Sequence, residues 1–481
     1  MSAMPSFSVS DKGSTAKLRA VELFAGIGGF RIASDNIGIQ TVWANDINKK
    51  AVAVYRSRYG DNSVVLGDIN DLIDVVPEHD ILTGGFPCQP FSRAGKKMGI
   101  DDYRGTLFES IVKILEARHP QYFFLENVNS LLFLDNGRHF RTILFALSEL
   151  GYKIEWRVFN AVAFGLPQQR LRVLITGCRN VDANETFLVT QAELATLSEN
   201  CCAKISDSRN WREIVSSRGK FPQWGMALNS KFTAFDFAPP QGIKSERKLK
   251  DILQREVATE FDFTENTLKR IEQSEFIDKF YNGVHILYNQ GHGARMGYTI
   301  FGTDGVAPTL TASASRHYER YEIDGRYRRL TNIEYARLQG FPDDYCNAVS
   351  VYDQYKLYGN AVPPLIVEYV MRRVLENRRI RVELPELPLF KQDFNRKNLR
   401  NERDGKDMIP LEHLSHLESA AASQTDVILQ AEGWVSRTLN ENWHSPSNAV
   451  WQRILTRPLE GKIGMSFALQ WRYNFATIFR R

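Results

Sequence analysis

Between residues 18 and 179 the chain alternates short apolar runs with amphipathic stretches, and this rhythm constrains its fold more than any other feature. LRAVELFA (18–25), IQTVWAND (39–46), SVVLGD (63–68), DILTGGF (80–86), QYFFLENV (121–128) and RLRVLITG (170–177) read as buried strands ending in polar or Gly residues. Between them GGFRIASDNIG, KKAVAVYRSRYG, RGTLFESIVKILEARHP and GRHFRTILFALSELG have helical spacing and closing Gly or Pro. Such alternation means an α/β fold, an open and doubly wound, mostly parallel sheet with ligands at the C-terminal ends of its strands.

The rhythm breaks after Arg179. Residues 180–325 carry aromatic, Gly, Pro and basic residues (Lys220, Trp224, Lys231, Phe235, Arg247, Lys248) without a sustained period, which suggests a second, smaller, irregular domain. TNIEYARLQGF (331–341) and PPLIVEYVMRRVLENRR (363–379) read as helices again. Residues 1–17 are polar and Ser-rich, and a disordered leader is expected there. Residues 381–481 are first charged and then Trp-rich (Trp434, Trp443, Trp451, Trp471), and form a C-terminal extension of unassigned role.

Charge decides little. The 61 Lys and Arg exceed the 56 Asp and Glu by five, too few to identify a polyanion-binding protein, so a basic surface has to come from local placement. Cys88, Cys178, Cys201, Cys202 and Cys346 are an odd, scattered set, which fits a reducing compartment better than a disulfide framework. They lack the paired spacing of a zinc site, and no metal is expected. Neither a secretory signal nor a membrane-spanning apolar run is present, so no membrane partner and a cytoplasmic location are expected.

The first strand runs into Phe24-Ala25-Gly26-Ile27-Gly28-Gly29-Phe30, where glycines let the backbone turn sharply against a nucleotide-like ligand. A dinucleotide fingerprint would place a third Gly at Arg31, so an adenosine ligand without a pyrophosphate fits better than NAD. Asp46 ends the second strand, where a carboxylate accepts hydrogen bonds from ribose hydroxyls, and Asp68 ends the third, facing the adenine amino group. Each feature taken singly also reads as a tight turn, a helix cap or a solvated carboxylate. Their occurrence at consecutive strand ends favours a bound adenosine cofactor.

The fourth strand leads into Gly84-Gly85-Phe86-Pro87-Cys88-Gln89-Pro90. A lone Cys is more often a small buried hydrophobe than a nucleophile. Here two prolines flank it at the ligand-facing end of a strand, and nothing in its neighbours gives a packing reason for a thiol. The next strand ends in Glu126-Asn127-Val128, and Gln168-Gln169-Arg170-Leu171-Arg172 adds fixed positive charge. A thiolate, a carboxyl group and a guanidinium around one pocket suit attack on an electron-poor ring, with Glu126 donating to a ring nitrogen and an Arg binding a carbonyl oxygen. That is covalent activation of a pyrimidine.

In this order, FAGIGGF, AND, GD, GGFPCQPFS, ENV and QQRLR, then after a gap RLTNIEYARLQGFP and YGNAVPP, the chain resembles the C5-cytosine DNA methyltransferases of bacterial restriction-modification systems. The resemblance covers 18–179 and about 305–375, and implies an S-adenosylmethionine-dependent, Rossmann-like catalytic domain at 18–179. It makes 180–325 a target-recognition domain and 326–380 a return segment that completes the catalytic domain. It further implies duplex DNA as partner, a monomer, and a cognate restriction endonuclease acting separately.

By motif, Cys88 resembles the nucleophile on cytosine C6, Glu126 the acid at N3 and the exocyclic amine, and Arg172, with Arg170 beside it, the ligand of O2. Phe24 and Gly28 would cradle S-adenosylmethionine, with Asp46 at its ribose and Asp68 at its adenine, and Asn360 and Val362 would line its methionine end. Ala25, Gly26, Gly29, Ile47, Ile69 and Pro87 are further residues expected at the cofactor. Residues 92–103, with Gly95, Lys96, Lys97 and Gly99, resemble a loop that closes over DNA, and Gln89, Ser92, Lys96 and Arg104 are expected at the DNA. His292 and Arg295, and the pair Thr309-Leu310 behind the flipped nucleotide, resemble target-recognition elements, with His292 the candidate to fill the vacated stack.

Arg295, Arg316, His317, Arg326, Arg328 and Arg329 are expected to meet phosphates or guanines, although a solvated basic face would look the same. The cations of 204–250, 295–329 and 93–97 are expected to line one cleft. Two departures stand out, Asp46 where the family usually has Glu, and Gln169 where a basic residue is common.

The nearest alternative is the same chemistry on RNA, against which the long 180–325 segment counts, because reading a duplex needs a sizeable recognition domain. A regulator that has lost catalysis is disfavoured by the intact Cys88, Glu126 and Arg172. A nicotinamide dehydrogenase is disfavoured by Arg31 and by the lack of a catalytic His or Tyr constellation.

Overall fold

The computed structural model describes residues 17–87, 105–181, 185–195, 204–229, 231–235, 247–289, 299–312, 319–376 and 380–381. The chain divides into two units, Met1–Phe390 and Lys391–Arg481, and every described residue lies in the first. The leader and the Trp-rich extension therefore fall outside the described residues. So do Cys88, Gln89, Ser92, Lys96, Arg104, His292, Arg295, Arg316 and His317.

The alternating segment folds as β1 (Arg19–Leu23), α1 (Gly29–Asn36), β2 (Gln40–Asp46), α2 (Lys49–Tyr59), β3 (Val65–Leu66), β4 (Ile81–Gly85), α3 (Gly105–Arg118), β5 (Tyr122–Val128), α4 (Arg138–Glu149), β6 (Lys153–Asn160) and β7 (Leu171–Cys178). Next come β8 (Glu185–Thr186), α5 (Gln191–Ala195), β9 (Lys204–Asp207), β10 (Trp224–Leu228) and β11 (Lys231–Phe235). α6 (Glu265–Glu272) precedes β12 (Glu275–Tyr281), β13 (Val284–Asn289), β14 (Thr299–Phe301), β15 (Arg320–Ile323) and β16 (Arg326–Arg328). Helices α7 (Asn332–Gln339), α8 (Val351–Asn360) and α9 (Pro364–Leu375) follow, and β17 (Ile380–Arg381) pairs with β8.

The main sheet has ten strands in the order β3-β2-β1-β4-β5-β7-β6-β10-β11-β9. From β3 to β5 every pairing is parallel, and from β5 onward every pairing is antiparallel. Its central strands β1, β4 and β5 are buried on both faces, with period two. Val21, Leu23, Leu82, Phe123 and Leu125 pack under α3 and α4. Ala20, Ile81 and Phe124 pack under α1 and α9 on the other side. The direction of winding reverses between β1 and β4, which opens a crevice beyond their C-terminal ends. The glycine loop leaves β1 there, and β4 runs there toward Pro87 and Cys88.

Two expectations are revised. β6 was not among the expected strands, although Ile154, Trp156 and Val158 alternate and are fully buried. Strands β9 to β11 continue the main sheet, so the sheet runs past the boundary expected at 180. Gly225 shows why a Gly interrupts this strand pattern: a Cβ there would lie 2.2 Å from the Trp156 ring.

The second sheet, β12-β13-β14-β15-β16, holds the later part of the expected recognition domain. A core of Val284, Phe301, Tyr321, Tyr335 and Tyr358 lies between it and α7 and α8, and reaches Ile27 and Val54 of the catalytic part. α7 begins where T-N-I-E forms a capping box, Thr331 Oγ1 accepting from Glu334 N and the Glu334 carboxylate accepting from Thr331 N. α9, the last helix among the described residues, packs on α1 and completes the first fold layer.

Candidate active site

Phe24, Gly26 and Gly28 all take positive φ (52°, 55° and 88°), which coils the chain tightly after β1. Asp46, at the end of the neighbouring β2, holds this coil. Its Oδ2 accepts from Gly26 N and its Oδ1 from Asn48 N, both at 2.7 Å. Burial raises its pKa, and the backbone N–H groups of Asn48, Gly26 and Ile47 pull it back. Asp46 thus shapes the loop in addition to any ribose contact.

Ile47 is 62% exposed at this rim, an apolar surface available to a flat ring. Asp68 accepts from the Asn70 backbone N (2.9 Å) and Nδ2 (3.0 Å). The Ile69 side chain is buried in the core beneath α3. Ala25 likewise packs inward, against Ala44, Val52 and Tyr55.

Gly29 is required by a close approach, because a Cβ on it would lie 2.4 Å from the Val362 carbonyl oxygen. A Cβ on Gly85 would lie 3.3 Å from Val362 Cγ2 and 3.5 Å from Glu126 Oε2. Val362 therefore returns from far along the chain to sit between the glycine loop and the end of β4. Asn360 is exposed at the end of α8. Arg31, where a dinucleotide site would need Gly, pairs with Asp35 (2.9 Å) and lies over the Tyr59 ring at 4.5 Å.

Glu126 and Arg172 project from the antiparallel neighbours β5 and β7 and meet at 2.9 Å between Oε1 and Nε. Both side chains are 10% exposed. Burial pushes the Glu126 carboxyl up, against the pull of Arg172 and Arg170, and burial lowers Arg172. A carboxyl in this setting holds its proton more readily than one in water and can donate it to a ring nitrogen. Asn127 Nδ2 donates to the Phe86 carbonyl at 2.9 Å, anchoring the backbone two residues before Cys88. Sequence reasoning gave Asn127 no role.

A family model described as C-5 cytosine-specific DNA methylase matches residues 18–376. The chain belongs to this family. The type II methyltransferase M1.ScrFI of Lactococcus lactis subsp. cremoris is 32% identical over 381 residues, 77% of this chain and 82% of the relative. The type II methyltransferase M.HhaI of Haemophilus parahaemolyticus is 30% identical over 367 residues, 75% of this chain and 95% of the relative. The crystal structure of S. pombe Dnmt2 methyltransferase shares the fold, with a TM-score of 0.50 and 20% identity over 75% of this chain and 99% of that one.

Within this cytosine-methylase framework several expected residues turn out to be structural. Arg170, expected beside the catalytic groups, is fully buried. Its guanidinium donates to the carbonyls of Leu310 (3.2 Å), Gly359 (3.0 Å) and Ala361 (2.9 Å), so it clamps three backbones. Leu310 is core, and its N–H donates to Gln168 Oε1 at 3.0 Å, while Thr309 Oγ1 donates to the Gln169 carbonyl. The pair thus straps the second sheet to the catalytic one.

Three of the arginines expected at DNA are likewise engaged within the protein. Arg326 pairs with Asp262 (2.6 Å), Arg328 pairs with Glu334 (2.8 Å), and Arg329 lies over the Phe261 ring at 5.3 Å. Gln168 and Gln169, which sequence reasoning left without a role, hydrogen-bond Leu310, Leu338 and Asn282. Among the described residues no helix is long and apolar enough to cross a membrane.

Proposed function

We propose that this cytosine methylase transfers the methyl group of S-adenosylmethionine to C5 of a cytosine flipped from a specific DNA duplex, as the modification enzyme of a type II restriction-modification system. The buried Glu126–Arg172 pair carries the reading, because it offers a proton and a cation to adjacent positions of one pyrimidine edge. The type II names and near-complete span of the relatives support the biological assignment.

The crevice residues fit the cofactor. Gly28 and Gly29 let the loop pack closely against Tyr55, Tyr345 and Val362, Asp46 offers carboxylate oxygens at the rim, and Ile47 supplies an apolar face. Val362 lies near the end of β4 on the Glu126 side, which supports the methionine end sitting there. The cofactor, when bound, supplies an electrophilic methyl group.

The chain's own groups do the rest. The Cys88 thiolate forms a bond to C6 as Glu126 gives its proton to N3 and Arg172 holds O2, which leaves C5 electron-rich. After C5 has accepted the methyl group, its proton is lost to solvent-derived base, the C5–C6 double bond reforms and the C6–S bond breaks. Glu126 then takes back the N3 proton. Flipping the base costs a few kcal/mol, offset by these pocket hydrogen bonds.

Bisulfite sequencing of DNA from cells expressing the protein tests this reading. Protected cytosines in one fixed sequence context are expected, and their absence at every context would refute it.

A further inference from the structure

Gln169 sits where a basic residue is common in sequences of this pattern, and its surroundings explain the neutral amide. Its backbone N–H donates to the Ala307 carbonyl at 2.7 Å, and its carbonyl accepts from Thr309 Oγ1. Its Nε2 donates to the Asn282 carbonyl at 2.6 Å, and its Oε1 accepts from Asn160 Nδ2. All four polar groups are used, three of them toward the second sheet. Asn160 lies at the end of β6, and its own Oδ1 accepts from Arg170 N at 3.1 Å, which fixes the amide orientation.

The Asn282 carbonyl belongs to the tight turn between β12 and β13. Asn282 and Gly283 both take positive φ (49° and 79°), the conformation of a two-residue type I′ hairpin. Three residues beyond Gln169, Arg172 meets Glu126. One side chain therefore joins the tip of a hairpin in the second sheet to the strand end that bears the substrate-binding pair.

We propose that Gln169 is a positioning residue for methyl transfer: it fixes the β12–β13 hairpin against β7 and so sets where a bound duplex presents its cytosine to Glu126 and Arg172. The proposal rests on the DNA-methylase reading above. Chemistry explains the residue type. A Lys or Arg would set a donor against the Asn160 amide N–H, and a Glu would set an anion against the Asn282 carbonyl. Gln supplies one acceptor and one donor at the required reach.

The test compares the full-length protein with Gln169→Leu and Asn160→Asp. The second variant puts an acceptor opposite Oε1, turns the Gln169 amide over and breaks the hairpin bond without altering position 169. Amide hydrogen exchange over 275–289, single-turnover methyl transfer on a duplex carrying the bisulfite-defined site, cofactor KM and thermal midpoint are measured together. In both variants the hairpin amides should exchange faster, and the transfer rate should fall about tenfold, as expected for a small misplacement of the reacting base. Cofactor KM should stay within about twofold, because the glycine loop is untouched.

Unchanged exchange over 275–289 would overturn the proposal, and so would an unchanged transfer rate. Loss of protection throughout the protein together with a raised cofactor KM would also overturn it, since that is the signature of general destabilisation. If the wild-type protein transferred no methyl group to DNA, the functional reading would fail by itself, and the exchange data would still decide whether Gln169 holds the hairpin.

Discussion

The Glu126 carboxylate and the Arg172 guanidinium meet at 2.9 Å across β5 and β7, each side chain 10% exposed. Removing either partner leaves the other buried and uncompensated. Glu126→Gln keeps the volume and loses the transferable proton, so the transfer rate should fall by about 10²–10³ with little change in DNA affinity, measured by single-turnover kinetics and filter binding. Because burial raises the Glu126 pKa, the protonated form persists to higher pH than an exposed Glu would allow. The wild-type rate should therefore decline as pH rises through that raised value, and the Gln variant should lack this alkaline decline.

Glu22 gives a stability prediction with a defined sign. It is buried on β1, accepts from Tyr55 Oη at 2.8 Å, and burial pushes its pKa up to about 8. The folded protein keeps the proton between the ordinary value of 4.5 and about 8, whereas the unfolded chain releases it. Stability from the neutral carboxyl is therefore fully present below 4.5 and lost as pH rises toward 8. The gap in thermal midpoint between Glu22→Gln and wild type should move in favour of the Gln variant across that window and then level off.

Arg170→Met should destabilise the protein by about 3 kcal/mol in urea unfolding, because the carbonyls of Leu310, Gly359 and Ala361 lose their buried donor. Arg170→Lys keeps the charge but not the fork, and should fall between the two. A Met variant as stable as wild type would show that the clamp contributes nothing.

Gly29→Ala places a methyl group 2.4 Å from the Val362 carbonyl oxygen, a backbone atom that has to move. A stability loss of about 1–3 kcal/mol is expected. Calorimetric titration with S-adenosylhomocysteine should show weaker binding, since both sides of the methionine end shift together.

Local signals were legible and long-range ones were not. The alternation of apolar runs placed the strands around the crevice, because parallel strands buried on both faces read as continuous hydrophobic segments. The glycine loop and Glu126-Asn127-Val128 were readable because tight turns and strand-end acids are local features. β6 was missed although its Ile154, Trp156 and Val158 keep period two. Its intervening Glu155 is a charged residue that is nonetheless buried, accepting from Trp224 Nε1 (2.7 Å) and from the Phe187 N–H (2.9 Å).

The roles of Arg170 and Gln169 depend on partners more than 100 residues away, such as Leu310 and Asn282, and no local pattern encodes them. For the same reason local pattern did not reveal that Arg326 and Arg328, expected at DNA, are committed to Asp262 and Glu334.

The central claim is covalent activation of cytosine by Cys88, with Glu126 and Arg172 holding the base. It is tested most directly by incubating the protein and S-adenosylmethionine with a duplex whose target cytosine carries fluorine at C5, which cannot leave as a proton. A protein–DNA adduct that survives denaturing electrophoresis should form with the wild type and be absent with Cys88→Ser. No adduct with the wild type, or an equal yield with Cys88→Ser, would contradict it.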